Sequence, residues 1–155
     1  MSMGIPEIED AGCLLCFGYN GADSHPIVAR RIVRGRQKGM KIICADPRVT
    51  ETARISDIHL QLKGGSNLAL VNAMANVIWK EGLADTKFIE EHTKGFEEFL
   101  KVIEKYTPEY AEPITHIPAE TIRKAARMYA TTKPAMILYG MGVCQFTQAV
   151  DVVKG

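Results

Sequence analysis

The chain has 155 residues, enough for one domain with a buried core, and is 46% hydrophobic and 24% charged, as in ordinary globular proteins. Its formal net charge of +1 gives no electrostatic reason to expect binding to nucleic acid or anionic lipid. No apolar run approaches the roughly 18 residues that cross a bilayer, and the polar start shows no signal peptide, so we expect four reduced cysteines in the cytoplasm.

The first part of the chain alternates between apolar strands and helices. The glycine-bounded apolar run at 12–18 predicts a buried strand. Apolar residues at helical spacing predict a helix from His25 to about Lys38, with Pro26 in the first turn, where its missing N–H costs nothing. The segment KIICAD at 41–46 predicts a second buried strand.

The remainder continues this alternation. The predicted elements are a helical turn at 50–54, a strand at 58–62, helices at 68–81, 85–92, 96–106 and 119–128, and a strand at 135–140. The three prolines of 107–118 predict a loop or broken turn. Strands that alternate with helices predict an α/β fold with a mainly parallel sheet.

Polar and glycine-rich segments follow the predicted strands. In parallel sheets, ligands bind beyond the carboxyl ends of the strands, so the loops at Gly18, Asp46, Gly64 and Gly140 share one edge. The segment GYNGADSHP at 18–26 places short polar side chains directly before a helix. These side chains either cap that helix or bind ribose and phosphate, and the residue types alone leave both interpretations open.

Asp46-Pro47-Arg48 follows the second strand. Pro47 stiffens the strand exit and directs Asp46 outward, where such folds place a carboxylate that binds a nucleoside. The alternatives are that Asp46 caps the turn at Thr50 and that Arg48 pairs with a surface carboxylate rather than a phosphate. Gly18 and Asp46 are 28 residues apart, against about 20 in a dinucleotide fingerprint, and the third glycine is missing.

Other polar and sulfur-containing residues have simpler interpretations. Cys13, Cys16 and Cys44 lie in apolar runs and fill the core, whereas Cys144 lies in a ligand-side loop without a neighbouring base. Six basic residues at 30–41 lack interleaved aromatic residues, which favours a solvated helix face, or a docking face for a partner domain, over nucleic acid. The four histidines are scattered and predict no metal site.

Four motifs resemble one family. GYNGADSHP, ADPR followed by TETA, LKGGSNLAL and YGMGVCQF occur in this order in the catalytic subunit of formate dehydrogenases. These enzymes are molybdopterin oxidoreductases that carry a molybdenum or tungsten bis(guanine dinucleotide) cofactor. The resemblance runs from Cys13 to the end and implies a Rossmann-like, three-layer α/β/α domain, spanning 1–155, that holds one guanine dinucleotide.

The resemblance also implies which residues of the first two loops contact the cofactor. Asn20, Asp23 and Ser24 would contact its nucleotide portion. Asp46 and Arg48 would hold its nucleoside and phosphate end. The positions at the predicted strand ends are compatible with these roles, without specifying which atoms meet.

The later motifs supply the other implied contacts. Gly65 and Asn67 would line the same groove. Met141, Gly142 and Gln145 would approach it from the last strand.

The family's catalytic parts are missing from this sequence. The resemblance places an iron–sulfur cysteine cluster and a metal-ligating Cys or selenocysteine with its His before residue 1, and a formate-facing arginine after residue 155. We therefore expect a piece of a larger subunit, with no catalytic or metal-binding residues of its own and no activity alone. Its partners would be the remaining domains and an electron-transfer subunit, and the VVKG end would interrupt a helix.

Three alternatives remain open. A stand-alone, regulatory nucleotide-binding module predicts tight binding of free nucleotide and a self-sufficient sheet. An NAD-dependent dehydrogenase domain is disfavoured by the glycine pattern and the spacing to Asp46. A sister molybdopterin enzyme, such as nitrate reductase or formylmethanofuran dehydrogenase, would carry the equivalent domain.

Overall fold

The computed structural model describes residues 4–147 and residue 150, and the VVKG end that was predicted as an interrupted helix lies outside them. Four strands form one all-parallel sheet, which confirms the mainly parallel prediction. In chain order they are β1 (Cys13–Phe17), β2 (Lys41–Ala45), β3 (Ile58–Leu60) and β4 (Ala135–Tyr139). Their spatial order is β3-β2-β1-β4, as in the first part of a doubly wound nucleotide-binding fold.

Helices connect and cover the strands. The described α-helices are α1 (Gly21–Ser24), α2 (Pro26–Gln37), α3 (Glu51–Arg54), α4 (Asn67–Lys80), α5 (Thr86–His92), α6 (Phe96–Ile103), α7 (Pro108–Thr115), α8 (Ala119–Thr131) and α9 (Met141–Cys144), preceded by a 3-10 helix at Ile5–Asp10. None of the described helices is long and apolar enough to span a membrane.

Helices cover both faces of the sheet because the side chains of each strand alternate between two cores. Leu15 and Phe17 of β1 pack against buried residues of α4, α7 and α8. Leu14 and Cys16 face the other way, toward Ile32 of α2 and the 3-10 helix. All five β1 residues are buried, as expected for a central parallel strand, and the three-layer prediction is confirmed.

The cysteines also behave as predicted. Cys13, Cys16 and Cys44 are buried in the sheet, and Cys16 lies directly beside Cys44 in the β1–β2 register. Burial raises the pKa of Cys13 to about 11 and that of Cys44 to about 12, so both thiols stay protonated at neutral pH. Cys144 is exposed at the ligand-side edge.

The prediction of a loop or broken turn at 107–118 is wrong, because α7 occupies most of it. Thr107 caps this helix by accepting a hydrogen bond from Tyr110 N at 3.2 Å, and Pro108 lies in the first turn, where a proline is tolerated. Pro113 lies inside the helix and removes one internal donor, but the fully buried Ala111 and Thr115 anchor the helix on α4 and α8.

Short helical segments also differ from the sequence expectations. The 3-10 helix was not predicted from the sequence, because its segment is short and polar and only one of its side chains, Ile8, is buried. The single turns α1 and α9 replace the loop and turn expected at those positions. The remaining predicted helices and strands are present, with ends that shift by a few residues.

Candidate functional site

A cleft of about 630 Å³ lies at the carboxyl ends of the strands, where ligand pockets of this size occur in α/β folds. It is bounded by the loops that follow β1, β2 and β4 and by the start of α4. The structure brings all ten residues proposed from the sequence to its wall: Asn20, Asp23, Ser24, Asp46, Arg48, Gly65, Asn67, Met141, Gly142 and Gln145. Their common location leaves their individual roles as predictions.

Two glycine-containing loops meet in the floor of the cleft. Gly18, with φ +55°, follows β1, and its carbonyl accepts a hydrogen bond from Gly142 N at 3.1 Å. A Cβ on Gly142 would lie 2.8 Å from Gly18 Cα, and a Cβ on Gly140 would lie 2.8 Å from Gly18 O. Because these neighbours are backbone atoms, only glycines allow the β1 and β4 loops to approach this closely.

The polar side chains after β1 bond mainly to one another. Asn20 Nδ2 donates to Asp23 Oδ2 at 2.5 Å, and Ser24 Oγ donates to Asn20 O at 2.7 Å while lying 2.8 Å from His25 Nδ1. Neither Asn20 nor His25 makes a side-chain cap to the helix that it precedes. The capping interpretation is therefore wrong for Asn20. Its Oδ1 is buried and has no hydrogen-bond partner among the described residues.

Tyr19 and His25 line the cleft, although neither was predicted as a site residue. Their rings stack at 5.6 Å between centroids. Tyr19 is only 5% exposed, and its ring folds back over Gly21, where an added Cβ would lie 2.6 Å from Tyr19 Cε1. The Tyr19 hydroxyl has no partner among the described residues, and burial raises its pKa to about 12. The sequence signal that could have identified Tyr19 as a site residue is its position as an aromatic residue between Gly18 and Gly21.

The loop after β2 presents a carboxylate and a guanidinium. Asp46 is 6% exposed and accepts a hydrogen bond from Arg48 N at 2.8 Å through Oδ1. The alternative that Asp46 caps the turn at Thr50 is wrong, since Thr50 Oγ1 itself accepts from Ala53 N at 3.2 Å. Within the described ranges, no carboxylate lies within 4 Å of the exposed Arg48 guanidinium, so the surface-pair alternative is not found.

The start of α4 supplies unpaired backbone donors. Ser66 precedes the helix, but its hydroxyl donates to Lys63 O at 2.6 Å and does not cap it. In the described part of the chain, no oxygen accepts from the N–H groups of Asn67, Leu68 and Ala69. Gly65, with φ +86°, has no atom within 4 Å of a would-be Cβ and leaves this helix end open. Free N–H groups and the helix dipole favour an anion here.

The start of α4 is also tied to the loop after β4. Asn67 Nδ2 donates to Gly142 O at 3.1 Å, so this side chain holds two walls of the cleft together. Met141 is 65% exposed, and Gln145 Nε2 lies 3.3 Å from its sulfur. These two flexible side chains and the exposed Phe146 form the outer rim.

The site offers binding groups. Arg48 and the uncapped start of α4 suit a phosphate, whereas Asp46, Asp23 and the free Asn20 oxygen accept hydrogen bonds from hydroxyl or N–H groups. Within residues 4–147 and 150, no three His, Cys, Asp or Glu side chains gather in a way that could hold a metal ion. The arrangement can therefore bind a ligand that is anionic in one part and rich in donors in another.

An all-parallel sheet covered on both faces, with a polar cleft where the strand order reverses, defines a doubly wound α/β domain. Comparison with known proteins narrows this class to one family. The molybdopterin oxidoreductase family matches residues 1–155, and the chain belongs to it.

Individual relatives include formate dehydrogenases and nitrate reductases. The chain is 54% identical over 154 residues to Formate dehydrogenase H of Escherichia coli, covering 99% of this chain and 22% of that protein. It is 51% identical to a formate dehydrogenase alpha subunit of Methanocaldococcus jannaschii, and the match covers 99% of this chain and 23% of that protein. It is 41% identical to a Nitrate reductase of Symbiobacterium thermophilum, and the match covers 92% of this chain and 20% of that protein.

A solved structure shares the fold. Acetylene Hydratase from Pelobacter acetylenicus superposes with a TM-score of 0.88 at 30% identity, covering 97% of this chain and 22% of that one. The chain thus spans about a fifth of the length of the relatives that it matches.

Proposed function

We propose that this chain is the domain that holds molybdopterin guanine dinucleotide in the catalytic subunit of a formate dehydrogenase. The observation that carries the proposal is the cleft of about 630 Å³ at the sheet edge, which gathers four separate sequence motifs of that family. Family membership supplies the cofactor class, and the cleft supplies a place for the cofactor's nucleotide part.

The residues of the cleft fit a guanine nucleotide. Arg48 and the free N–H groups at the start of α4 match a diphosphate, because charge-assisted hydrogen bonds and helix N-termini both bind phosphate oxygens. Asp46 and the unpartnered Asn20 oxygen match ribose hydroxyls or base N–H groups. A volume of about 630 Å³ is in the range that accommodates such a ligand.

The redox chemistry belongs to the bound cofactor, whose molybdenum or tungsten would take two electrons from formate and release carbon dioxide. This chain's residues would bind and orient one nucleotide arm. We also propose that the intact subunit carries an iron–sulfur cluster outside this chain. The partners of this chain would be the remaining domains of that subunit and an electron-transfer subunit. The buried thiols of Cys13, Cys16 and Cys44 support a reducing, cytoplasmic location.

Formate is favoured over nitrate by the degree of similarity. The formate dehydrogenases above reach 54% and 51% identity, against 41% for the nitrate reductase. Nitrate reduction is the second candidate function, because that relative still covers 92% of the chain.

Isothermal titration of the 155-residue chain with GDP, and with NAD in parallel, tests the binding proposal. We expect GDP to bind and NAD to bind more weakly, because the glycine pattern and the spacing to Asp46 differ from a dinucleotide fingerprint. Binding of NAD as tight as that of GDP would favour the dehydrogenase alternative, and no heat from GDP would contradict the proposal.

A separate assay tests the expectation that this chain alone does not catalyse the reaction. We expect no formate-dependent reduction of a dye acceptor by the purified chain, because the resemblance implies that the metal-ligating Cys or selenocysteine and the formate-facing arginine are not among its 155 residues. Turnover of formate above the rate of a heat-treated sample would contradict this expectation.

A further inference from the structure

The main chain around Arg48 is held by hydrogen bonds on both sides. Arg48 N donates to Asp46 Oδ1 at 2.8 Å, and Thr50 N donates to Arg48 O at 3.0 Å. Pro47 lies between Asp46 and Arg48, and its ring fixes its own φ angle. The Arg48 side chain, by contrast, is exposed on the cleft wall. The chain therefore orders the backbone of this turn and leaves its cation available.

Two side chains from the neighbouring strand complete this arrangement. His59 is half-buried on β3, and its Nε2 lies 2.9 Å from Asp46 O. Gln61 Nε2 donates to Pro47 O at 3.1 Å. Because a carbonyl oxygen only accepts hydrogen bonds, His59 Nε2 carries a proton and is the donor. Residues two apart in an extended segment point to the same side, so the two side chains reach successive carbonyls of the turn.

The positions of these two donors suit a supporting role. Neither His59 nor Gln61 lines the cleft, and both bonds go to main-chain atoms. The buried Ile58 and Leu60 flank His59 and hold β3 in the sheet, so this donor lies on a rigid element. A binding group whose backbone is fixed before the ligand arrives loses less conformational freedom on binding, and its affinity is higher for that reason.

We propose that His59 and Gln61 are positioning residues that hold the turn after β2, and with it the Arg48 guanidinium, ready for the diphosphate. This inference rests on the proposed function, in which Arg48 binds the diphosphate of a guanine nucleotide. His59 and Gln61 do not contact the nucleotide. They raise its affinity by restricting the turn, so their effect depends on the presence of the Arg48 side chain.

Backbone mobility in the ligand-free chain tests the positioning role without any nucleotide. H59F keeps a ring and Q61M keeps the length of the side chain, but neither variant can donate the hydrogen bond. In the double variant H59F/Q61M, we expect the order parameter of the Arg48 amide, measured by NMR relaxation, to fall from about 0.85 to below about 0.6. An unchanged order parameter would mean that the turn is rigid without these two bonds, and the proposal would be wrong.

Titration calorimetry with GDP in two backgrounds tests whether the effect passes through Arg48. We expect H59F/Q61M to bind GDP about tenfold more weakly than the unmodified chain, as for the loss of two hydrogen bonds of modest net strength. Added to R48Q, the same two substitutions should weaken binding by less than about twofold, because the side chain that they position is already absent. An undiminished tenfold loss in the R48Q background would overturn the proposal, since a general loss of stability does not depend on Arg48.

A conservative variant separates the hydrogen bond from the shape of the side chain. H59Q retains an amide that can donate to Asp46 O, so we expect it to bind GDP as tightly as the unmodified chain. Affinity in H59Q as low as in H59F would contradict the role of the donor. Q61M alone, at an exposed position, provides the same test in the event that H59F does not fold.

Q37M/H92F is the matched control, because Gln37 and His92 are exposed and lie outside the cleft wall. It should retain the affinity for GDP and the order parameter of the Arg48 amide. An equal loss in this control and in H59F/Q61M would overturn the assignment of His59 and Gln61 while leaving the proposed function intact. Failure of the unmodified chain to bind GDP would instead contradict the proposed function, and this inference with it.

Discussion

At the scale of single residues, the site depends on the partners that polar side chains have or lack. Arg48 has no carboxylate within 4 Å among the described residues, whereas Asp46 and Asn20 each use one polar atom within their own turn. Side chains held by one bond, with another atom available, are arranged for a ligand in advance.

Replacing Arg48 should weaken nucleotide binding. For R48Q we expect the affinity for GDP to fall between about tenfold and a hundredfold, the range for losing a charge-assisted hydrogen bond of roughly 1.5–3 kcal/mol. Titration calorimetry measures the change. R30Q is the control, because Arg30 is also exposed but lies on α2 outside the cleft wall. An equal effect of both substitutions would mean that Arg48 acts only through net charge.

The glycine contact in the floor of the cleft gives a second residue-scale prediction. In G142A the new Cβ would meet Gly18 backbone atoms at 2.8–2.9 Å, so we expect a loss of about 1–3 kcal/mol in the free energy of unfolding. Urea denaturation measures this loss. G64A is the matched control, since nothing lies within 4 Å of a Cβ at Gly64. Equal stability of the two variants would show that the β1 and β4 loops can separate freely.

At the scale of elements, ion pairs fix α2 against its neighbours. The basic face is largely exposed to solvent, as predicted, and several of its side chains also form two clusters of ion pairs. Glu9 pairs with Arg31 at 2.6 Å and with Lys38 at 3.1 Å, so the 3-10 helix binds α2. Asp57 likewise pairs with Arg36 at 2.8 Å and accepts from Ile42 N at 2.9 Å. The middle and the carboxyl end of α2 are therefore held against the 3-10 helix and the segment before β3.

The Glu9 cluster predicts a specific acid sensitivity. Hydrogen bonds from Arg31 and Lys38 lower the pKa of Glu9 from 4.5 to about 2. A folded-state pKa below the unfolded value stabilises the fold above pH 4.5, and this stabilisation is lost as the pH falls toward 2. E9Q should therefore be less stable than the unmodified chain at pH 7, and the difference should vanish near pH 2.

Urea unfolding at several pH values measures this difference. E97Q is the control, because Glu97 is exposed on α6 and has no ion pair within the described residues. If the difference in the free energy of unfolding between E9Q and the unmodified chain stays constant from pH 7 to pH 2, the predicted role of the Glu9 pKa is wrong.

At the scale of the whole molecule, the two cores share one sheet. Neighbouring residues of β1 face opposite cores. If β1 leaves the sheet, both cores therefore become exposed to solvent. Such a molecule should unfold as one cooperative unit. This matters for function, because the cleft is formed by loops that emerge from strands of both cores.

A destabilising substitution in either core should lower the midpoint of one shared unfolding transition. We expect L14A and L70A, on opposite faces of the sheet, each to cost about 2–5 kcal/mol. Circular dichroism and the fluorescence of Trp79, the single tryptophan, should report coincident denaturation curves. Separate transitions for the two probes would indicate two independent units instead of one domain.

The sequence was sufficient for the sheet and for the position of the site, because buried parallel strands are short apolar runs whose carboxyl ends meet at one edge. It was insufficient where tertiary contacts decide the outcome. Pro113 lies inside α7, where the buried Ala111 and Thr115 pack the helix against α4 and α8. The fold-back of Tyr19 over Gly21 and the pairing of Asn20 with Asp23 depend on turn geometry that residue types do not encode.

Binding of a guanine nucleotide in the cleft can be followed residue by residue with amide NMR of the 155-residue chain. On titration with GDP, we expect shifts at Asn20, Asp46, Arg48 and Gly65, and little change on the α5 and α6 surface. The same titration with NAD should move these signals less. GDP-induced shifts that lie outside the cleft, or no shifts at all, would contradict nucleotide binding at this site.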